Sequence, residues 1–451
     1  MNQPQDTIAA IATAAGRGGI GIIRISGSLT TKISEQLLGS KIPARQACFK
    51  SFKQHDGSSI DSGLALFFQS PASYTGEDTL ELQGHGGPVV LDLLLKRVLS
   101  LGTRLAEPGE FTQRAFLNNK LDLAQAEAVA DIIDAGTNAA ALSAQQSLQG
   151  VFSNRINNLQ EQLMNLRLYV ESAIDFSDED IDFLAGDELQ KIITTLQQAF
   201  KKLTETAKQG SLLRDGMTVV LAGKPNAGKS SLLNALSQRE TAIVTDVAGT
   251  TRDVLREQIQ IDGMPVHIVD TAGLRESGDI IEQEGVKRAK HAISMADQVL
   301  LVVDDQESGS DDYLALLSDI PTGIPVTLVF NKVDITGAQA GEMTSKDERT
   351  VIKLSAKHKD GLSVLTQHLK AQMGFNSEEK NVFLARRRHL DALERSNVFL
   401  NNGVEQLLNY QAGELFAEDL RLAQNALSEI TGKITPDDLL GEIFSSFCIG
   451  K

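Results

Sequence analysis

The sequence predicts a multidomain fold that mixes α+β and α/β parts. An α+β domain comes first, followed by a helical bundle made from two chain segments. A doubly wound α/β domain with a phosphate-binding loop is inserted between those segments. Three observations carry this expectation. At 451 residues the chain is too long for one hydrophobic core. Residues 218–234 (TVVLAGKPNAGKSSLLN) read as strand, glycine-rich loop and helix. Alanine- and leucine-rich stretches with helical spacing lie on both sides of the inserted part. The boundaries expected are 1–119, 120–214, 215–375 and 376–451.

The bulk numbers narrow the class. Apolar residues make up 41% and charged residues 23%, an ordinary globular balance. Acidic residues outnumber basic ones 59 to 43, for a formal net charge of -16. Such a surface disfavours indiscriminate nucleic-acid binding, so a polyanionic partner requires a local basic patch. The two cysteines, Cys48 and Cys448, form neither a disulfide framework nor a zinc pattern, and they suit a reducing cytosol. No signal peptide and no membrane-spanning apolar run is visible, so a soluble cytoplasmic protein is expected, with no membrane partner.

In the first domain, GIGIIRI (19–25), GLALFF (63–68) and TLELQ (79–83) read as strands. VVLDLLLKRVLSL (89–101) has helical spacing, with Val90, Leu94, Val98 and Leu101 on one face. Glycine-rich turns at 16–19, 75–78 and 84–87 let backbone approach a ligand, or are simply tight turns. From Leu121 the chain turns helical. One stripe joins Ile156, Leu159, Leu163, Leu166 and Val170. Another joins Leu189, Ile192, Leu196, Phe200 and Leu203, with Gly210 as its cap. The acidic run DFSDEDID (175–182) between them reads as a solvated loop, because its spacing fits no metal-binding pattern. Strands alternating with helices then follow, at 218–221, 258–261, 266–270, 299–304, 326–331 and 351–355. Asp262-Gly263 supplies a hairpin turn. A last helical stripe joins Phe416, Leu420, Ala423, Leu427 and Ile430.

The chemistry is concentrated in the inserted domain. Gly223, Gly228, Lys229 and Ser230 stand in the order G-x-x-x-x-G-K-S. The amides of Asn226, Ala227, Gly228, Lys229, Ser230 and Ser231 suit a phosphate chain, Lys229 adds a charge and the Ser230 hydroxyl suits magnesium. Asp270-Thr271-Ala272-Gly273 ends a strand, where an aspartate orients magnesium through water and a glycine amide meets a terminal phosphate. Asn331-Lys332-Val333-Asp334 ends another. Its aspartate accepts two hydrogen bonds from the N1–H and N2–H groups that guanine offers and adenine lacks. In Ser355-Ala356-Lys357 a backbone amide can donate to guanine O6. All four motifs in this order specify a Ras-like G domain that binds GTP or GDP. Leu274 stands where Ras-like switches carry the water-orienting glutamine, so another group must take that role. Spacing alone leaves Glu276, Glu282 and Glu284 open. TDVAGTTRD (245–253) is the first switch, and Thr251 can ligate magnesium. A monovalent cation at Asn226 and the switch carbonyls, or Arg252 as a finger, would neutralise phosphate charge.

Outside these motifs stand GRGGIGIIRISG (16–27), YTGEDTLELQGHGG (74–87), PGEFTQRAFLNNKLDLAQAEAVADIIDA (108–135) and LLGEIFSSFCIGK (439–451). With them the whole chain resembles the MnmE (TrmE) family of bacterial tRNA modification GTPases. The resemblance implies an N-terminal dimerisation domain that binds 5-formyl- or methylene-tetrahydrofolate through Arg24, Glu81, Lys120 and Lys451. It implies potassium at Asn226, Thr245, Val247 and Thr250, and magnesium at Ser230 and Thr251. The GTP site then extends over Asp246, Ala248 and Gly249, and Glu282 is the water-orienting residue. The family's partner is the flavoprotein MnmG (GidA), which brings FAD and NADH. A homodimer and a heterotetramer with MnmG follow, acting at carbon five of the wobble uridine of tRNA.

A few other residues carry two readings each. Cys448 stands fourth from the last residue, but Lys451 is not a usual ending for a prenylation box. The resemblance suggests a catalytic role for Cys448 near the folate, against a plain buried thiol. His85 reads as a proton-transfer group or a turn histidine. Arg386-Arg387-Arg388 reads as a tRNA-facing patch or a charged helix start. A ribosome-assembly or RNA-maturation GTPase of the same superfamily is the alternative function. It calls for an RNA-binding domain, and no such pattern follows the G domain.

Overall fold

The structure, a computed structural model, describes residues 6–175, 187–239, 256–270, 291–308, 312–318, 320–321, 323–345, 349–375, 383–434 and 437–450. The chain divides into two compact units. Met1–Ala130, Leu148–Ile193 and Arg395–Lys451 form the first, and Asp131–Ser147 and Thr194–Glu394 form the second.

The first unit holds a six-stranded sheet, β1 (Ile8–Ile11), β2 (Gly18–Ser26), β3 (Cys48–Lys53), β4 (Ser59–Phe68), β5 (Thr79–Gly86) and β6 (Arg104–Leu105), in the order β3-β4-β5-β2-β1-β6. Its pairings are antiparallel except β1 with β6. Side chains alternate across the sheet. Ile23, Ile25, Ala65, Phe67, Leu80 and Leu82 face α1 (Thr30–Leu38) and α2 (Pro88–Leu99) in one core. The opposite set, including Arg24 and Glu81, lies in register across β2 and β5. On α2 the buried face is Leu91, Leu94 and Val98, so Leu91 takes the place expected for Val90. Strand β1 has no signal in its sequence, because Ile8, Ala9 and Ala10 are buried on both faces and show no alternation.

Helices follow: α3 (Glu110–Leu117), α4 (Leu123–Asp134), α5 (Asn138–Leu148), α6 (Val151–Asp175) and α7 (Asp187–Asp215). After the second unit's sheet come α12 (Arg387–Tyr410), α13 (Gly413–Thr431) and α14 (Asp437–Ser445). In the first unit α6 lies along α13, although some 240 residues separate them in sequence. The two expected stripes are buried, and each aliphatic side chain so buried contributes about 1.5–3 kcal/mol. Polar bonds fix their register: Gln160 Nε2 donates to Ser428 Oγ (2.9 Å) and Arg167 Nη1 to Gln424 Oε1 (2.8 Å). This is the bundle built from two chain segments.

The second unit carries a seven-stranded sheet. Its strands are β7 (Met217–Ala222), β8 (Arg256–Ile261), β9 (Met264–Asp270), β10 (Gln298–Asp304), β11 (Val326–Asn331), β12 (Gly341–Thr344) and β13 (Thr350–Leu354). The order is β12-β13-β11-β10-β7-β9-β8, with the five inner strands parallel and both edge strands antiparallel. Helices α8 (Lys229–Arg239), α9 (Asp312–Ser318), α10 (Val333–Thr336) and α11 (Leu362–Met373) accompany it. Asp262 and Gly263 both take positive φ, 50° and 92°, as a primed hairpin turn between β8 and β9 requires.

Two sequence expectations about α7 change. Ile193, not Ile192, joins the buried stripe. Gly210 does not cap the helix, which continues to Asp215 and ends before Gly216 at φ 69°. A Cβ at Gly210 would lie 1.9 Å from the Phe383 carbonyl oxygen, so glycine serves a close backbone approach. Replacing it, as in Gly210→Ala, forces that backbone apart. We expect a loss of about 1–3 kcal/mol, read as a lower urea midpoint, and an unchanged midpoint would refute the close approach.

Candidate functional site

The parallel strands of the second unit bring their carboxyl ends to one edge. Leu221 pairs with Asp270, Asp304 with Asn331, and Asn331 with Leu354. Ligands of open α/β sheets bind at such an edge, where neighbouring strands leave in opposite directions. The loop after β7 crosses it. Gly223 has φ 143° and its missing Cβ would meet the Val302 carbonyl oxygen at 2.2 Å. Asn226 holds φ 63° and is exposed, as are Ser230 and Ser231 at the start of α8. Lys229 is 6% exposed, and its Nζ donates to the carbonyls of Gly223 and Lys224, both at 2.9 Å. The lysine thus closes the ring of its own loop and holds a positive charge inside it.

Two further loops meet this one through the buried Asn331 side chain. Its Nδ2 donates to the Ala227 carbonyl (3.1 Å), and its Oδ1 accepts from the amides of Lys332 (2.8 Å) and Ala356 (3.0 Å). Gly228 is required there, since a Cβ would lie 2.1 Å from Asn331 Nδ2. Lys332 is left-handed at φ 70°, and its Nζ reaches Asp304 Oδ2 at 2.7 Å. Burial pushes the Asp304 carboxyl up, but the Lys332 bond and the Gln306 amide outweigh it and hold the group below the usual range. Asp334 is exposed, and Ser355 Oγ donates to its Oδ1 at 2.6 Å. That bond holds Asp334 ionised and below the usual carboxylate range. A fixed, acceptor-only carboxylate beside exposed loop amides can accept a pair of N–H groups from a planar base. Lys224, Asn226, Asp304, Glu307 and Lys332 line a cleft of about 90 Å³ beside the loop.

The first unit carries a second cluster. Arg24 Nε and Nη2 lie 3.0 and 2.9 Å from Glu81 Oε1. Its guanidinium stands 5.6 Å from the Tyr74 ring centre and 5.7 Å from that of Phe111, within cation–π range. The end of the chain reaches this place. Ile449 bridges to Pro108, the Cys448 carbonyl accepts from the Gly109 amide at 3.4 Å, and Arg24 Nη1 stands 3.5 Å from the Gly450 carbonyl. Gly450 has φ 96°, and a Cβ there would lie 2.4 Å from the Ile11 carbonyl oxygen. The Cys448 residue is exposed rather than a buried hydrophobe. Lys120 Nζ is held by the Pro71 carbonyl at 2.9 Å. An ion-paired guanidinium between two rings, with carboxylate and carbonyl acceptors beside it, fits a flat heterocycle with amino and amide N–H groups.

Several expected site residues lie outside the described residues: Thr245, Asp246, Val247, Ala248, Gly249, Thr250, Thr251 and Arg252 of the first switch, Thr271, Ala272, Gly273, Leu274, Glu276, Glu282 and Glu284, and Lys451. Asp270 is placed as the last residue of β9, and Lys357 is exposed after Ala356. Arg386 is half-buried and ion-paired: its Nη2 donates to Asp131 Oδ1 at 2.8 Å, beside Arg214 Nε at 2.9 Å on the same oxygen. His85 is 75% exposed at its side chain, and Asp61 accepts both its amide (2.8 Å) and its Nδ1 (2.7 Å), which orients the ring.

Sequence reading missed one charged network. Arg114 bridges Glu77, Glu110 (2.8 Å) and Asp6 (3.0 Å), and Arg104 bonds Glu110 at 2.6 and 2.8 Å. Ser26 Oγ donates to Glu77 Oε2 at 2.7 Å. Burial pushes Glu110 up, but Arg104, the Glu107 amide and Arg114 prevail and hold it below the usual range. The only trace in the sequence is the recurrence of charge within YTGED and PGEFTQR, which spacing alone does not pair.

Comparison with known proteins agrees with two parts of the chain. A family model described as MnmE helical domain matches residues 123–448, and one described as GTP-binding protein TrmE N-terminus matches residues 7–120. The tRNA modification GTPase MnmE of Hydrogenovibrio crunogenus is 56% identical over 446 residues, covering 99% of each chain. That of Erwinia tasmaniensis is 56% identical over 451 residues, covering 99% of each chain. That of Actinobacillus pleuropneumoniae is 55% identical over 452 residues, covering 99% of this chain and 100% of that one.

The Ser355–Asp334 bond yields a direct expectation. Ser355→Ala frees the carboxylate, raises it toward its ordinary value and weakens guanine nucleotide binding by about tenfold, measured by titration calorimetry. Unchanged affinity would show that the bond does not position Asp334.

Proposed function

The chain belongs to the MnmE family of tRNA modification GTPases, and on that premise we propose that it hydrolyses GTP to drive modification of the wobble uridine of tRNA. The observation that supports this best is the gathering, at one sheet edge, of the Gly223–Ser230 loop, Asn331, Asp334 and Ser355. With a flavoprotein partner, MnmG (GidA), which brings FAD and NADH, it adds an aminomethyl or carboxymethylaminomethyl group at carbon five. The one-carbon unit comes from tetrahydrofolate. The domains are 1–119 for dimerisation and folate, 120–214 with 376–451 for the helical bundle, and 215–375 for the G domain.

Each chain residue has a definite task in this reading. The amides of 226–231 and the Lys229 ammonium cradle the phosphates. Asp334, held by Ser355, selects guanine, and a backbone amide of the 355–357 loop donates to its O6. Ser230 and Thr251 would hold magnesium, which would screen phosphate charge; Asp270 would support the ion and Gly273 would contact the terminal phosphate. Asn226, Thr245, Val247 and Thr250 would hold potassium, which would supply positive charge where Ras-like proteins receive an arginine finger. Glu282 orients the attacking water, since Leu274 cannot. In the first unit Arg24, Glu81, Lys120 and Lys451 hold the folate, and Cys448 stands near it. The outward sheet face exposes Ile20, Phe49 and Leu64, which suits pairing with a second copy.

Two experiments test this. A strain lacking the gene should have unmodified wobble uridines in its tRNA nucleosides by mass spectrometry, and a normal nucleoside profile would defeat the reading. GTP turnover should be faster by an order of magnitude or more in potassium than in sodium, roughly the effect of one transition-state electrostatic interaction. Equal rates would assign the charge to Arg252 instead.

A further inference from the structure

We propose that a basic cleft on the first unit, between α1, the β3–β4 hairpin and the C-terminal end of α2, binds the sugar-phosphate backbone of tRNA. This rests on the reading that tRNA is the substrate. The cleft is open and measures about 550 Å³. Lys32 of α1, Lys53 at the end of β3, His55 in the hairpin and Arg97 of α2 line it, with Gln36 and Ser100 as neutral donors. No carboxylate lines it, in a chain whose net charge is -16. Like charges are gathered here against the general trend of the surface, as binding of a polyanion requires.

Two acids of the surrounding elements are bonded locally, and the exposed Glu35 of α1 is not among the lining residues. Asp56, in the same hairpin, accepts from the Ser58 amide (2.9 Å) and hydroxyl (2.6 Å), which fixes the turn. Asp92 is paired with Lys96 at 2.6 Å. Among the described residues neither Lys32 nor Lys53 has a carboxylate partner. Arg97 is held in place rather than neutralised: its Nε donates to the Lys53 carbonyl at 3.4 Å and its Nη1 to Ser100 Oγ at 3.2 Å. That link ties the end of α2 to the hairpin. The cleft lies on the helix-covered side of the sheet, whereas Arg24 and Glu81 lie on the other side. It therefore stands apart from the folate cluster, and a long polyanion suits it better than a small ligand of that cluster. Phosphates bind such side chains without base specificity, so the cleft orients tRNA and does not select its sequence.

The test uses the full chain and unmodified tRNA, with binding followed by fluorescence anisotropy between about 50 and 200 mM salt. The Lys32→Gln/Lys53→Gln double variant should bind about tenfold more weakly, and its salt slope should fall by about 0.7–0.9 for each phosphate it no longer neutralises. Its GTP turnover and thermal midpoint should match the parent. Arg97→Gln should weaken binding in the same direction. If the double variant binds tRNA with the parent's affinity and slope, the cleft proposal fails while the tRNA reading, decided separately by the nucleoside profile, stands. If the double variant loses inorganic polyphosphate binding but keeps tRNA binding, the cleft serves another polyanion and the proposal is overturned.

Discussion

The nucleotide unit depends on one buried carboxamide. Asn331 offers two donors and two acceptor sites, and three hydrogen bonds tie it to the phosphate loop, to its own backbone and to the loop after β13. No apolar side chain of that size replaces it without leaving the Ala227 carbonyl and the Ala356 amide in need of partners, at about 1–3 kcal/mol each. Gly228 is the reciprocal constraint, because only its missing Cβ lets that amide come so close. A sheet aligns strand ends to within a residue, but it does not align loops. Asn331 makes the loops one object, so that the Lys229 ammonium and the Asp334 carboxylate belong to the same site.

Much of this was legible in the sequence, for a physical reason. Motifs whose glycines and carboxylates are dictated by backbone approach and ligand chemistry have a recognisable spacing, and the structure places their described parts at strand ends. Helical stripes were legible where apolar spacing was unambiguous, as in α6 and α13. Adjacent isoleucines at 192 and 193 gave periodicity no basis for choosing, and packing chose the second. Strand β1 was hidden because burial on both faces removes alternation. Gly210 was misread because a glycine near a helix end and a glycine under a crossing backbone look alike in one dimension. Arg386 looked like surface charge until Asp131, some 255 residues earlier, proved to be its partner.

The same limit governs the first unit. Glu77, Glu110, Arg104 and Arg114 sit in stretches that the family resemblance marks as specific, yet nothing local says that they meet. Breaking such a half-buried network by removing one member typically costs several kcal/mol, because the remaining charge is stranded. Those stretches therefore hold a scaffold around the Arg24 cluster: the network fastens the Tyr74 loop and α3, and Tyr74 and Phe111 flank Arg24. Positioning comes from ions and rings together, on the sheet face opposite α1 and α2.

The arrival of Gly450 beside Arg24 has a consequence in time. Strands β2 and β5 leave the ribosome early, while residues 448–450 follow more than 400 residues behind Arg24. At about 5–20 residues per second, that interval is on the order of tens of seconds. During it the second unit is translated in full, whereas the Arg24 cluster still lacks its tail. A nascent chain, or one cut short by a late stop codon, thus carries an unfinished cluster in the first unit while every residue of its phosphate loop is already made.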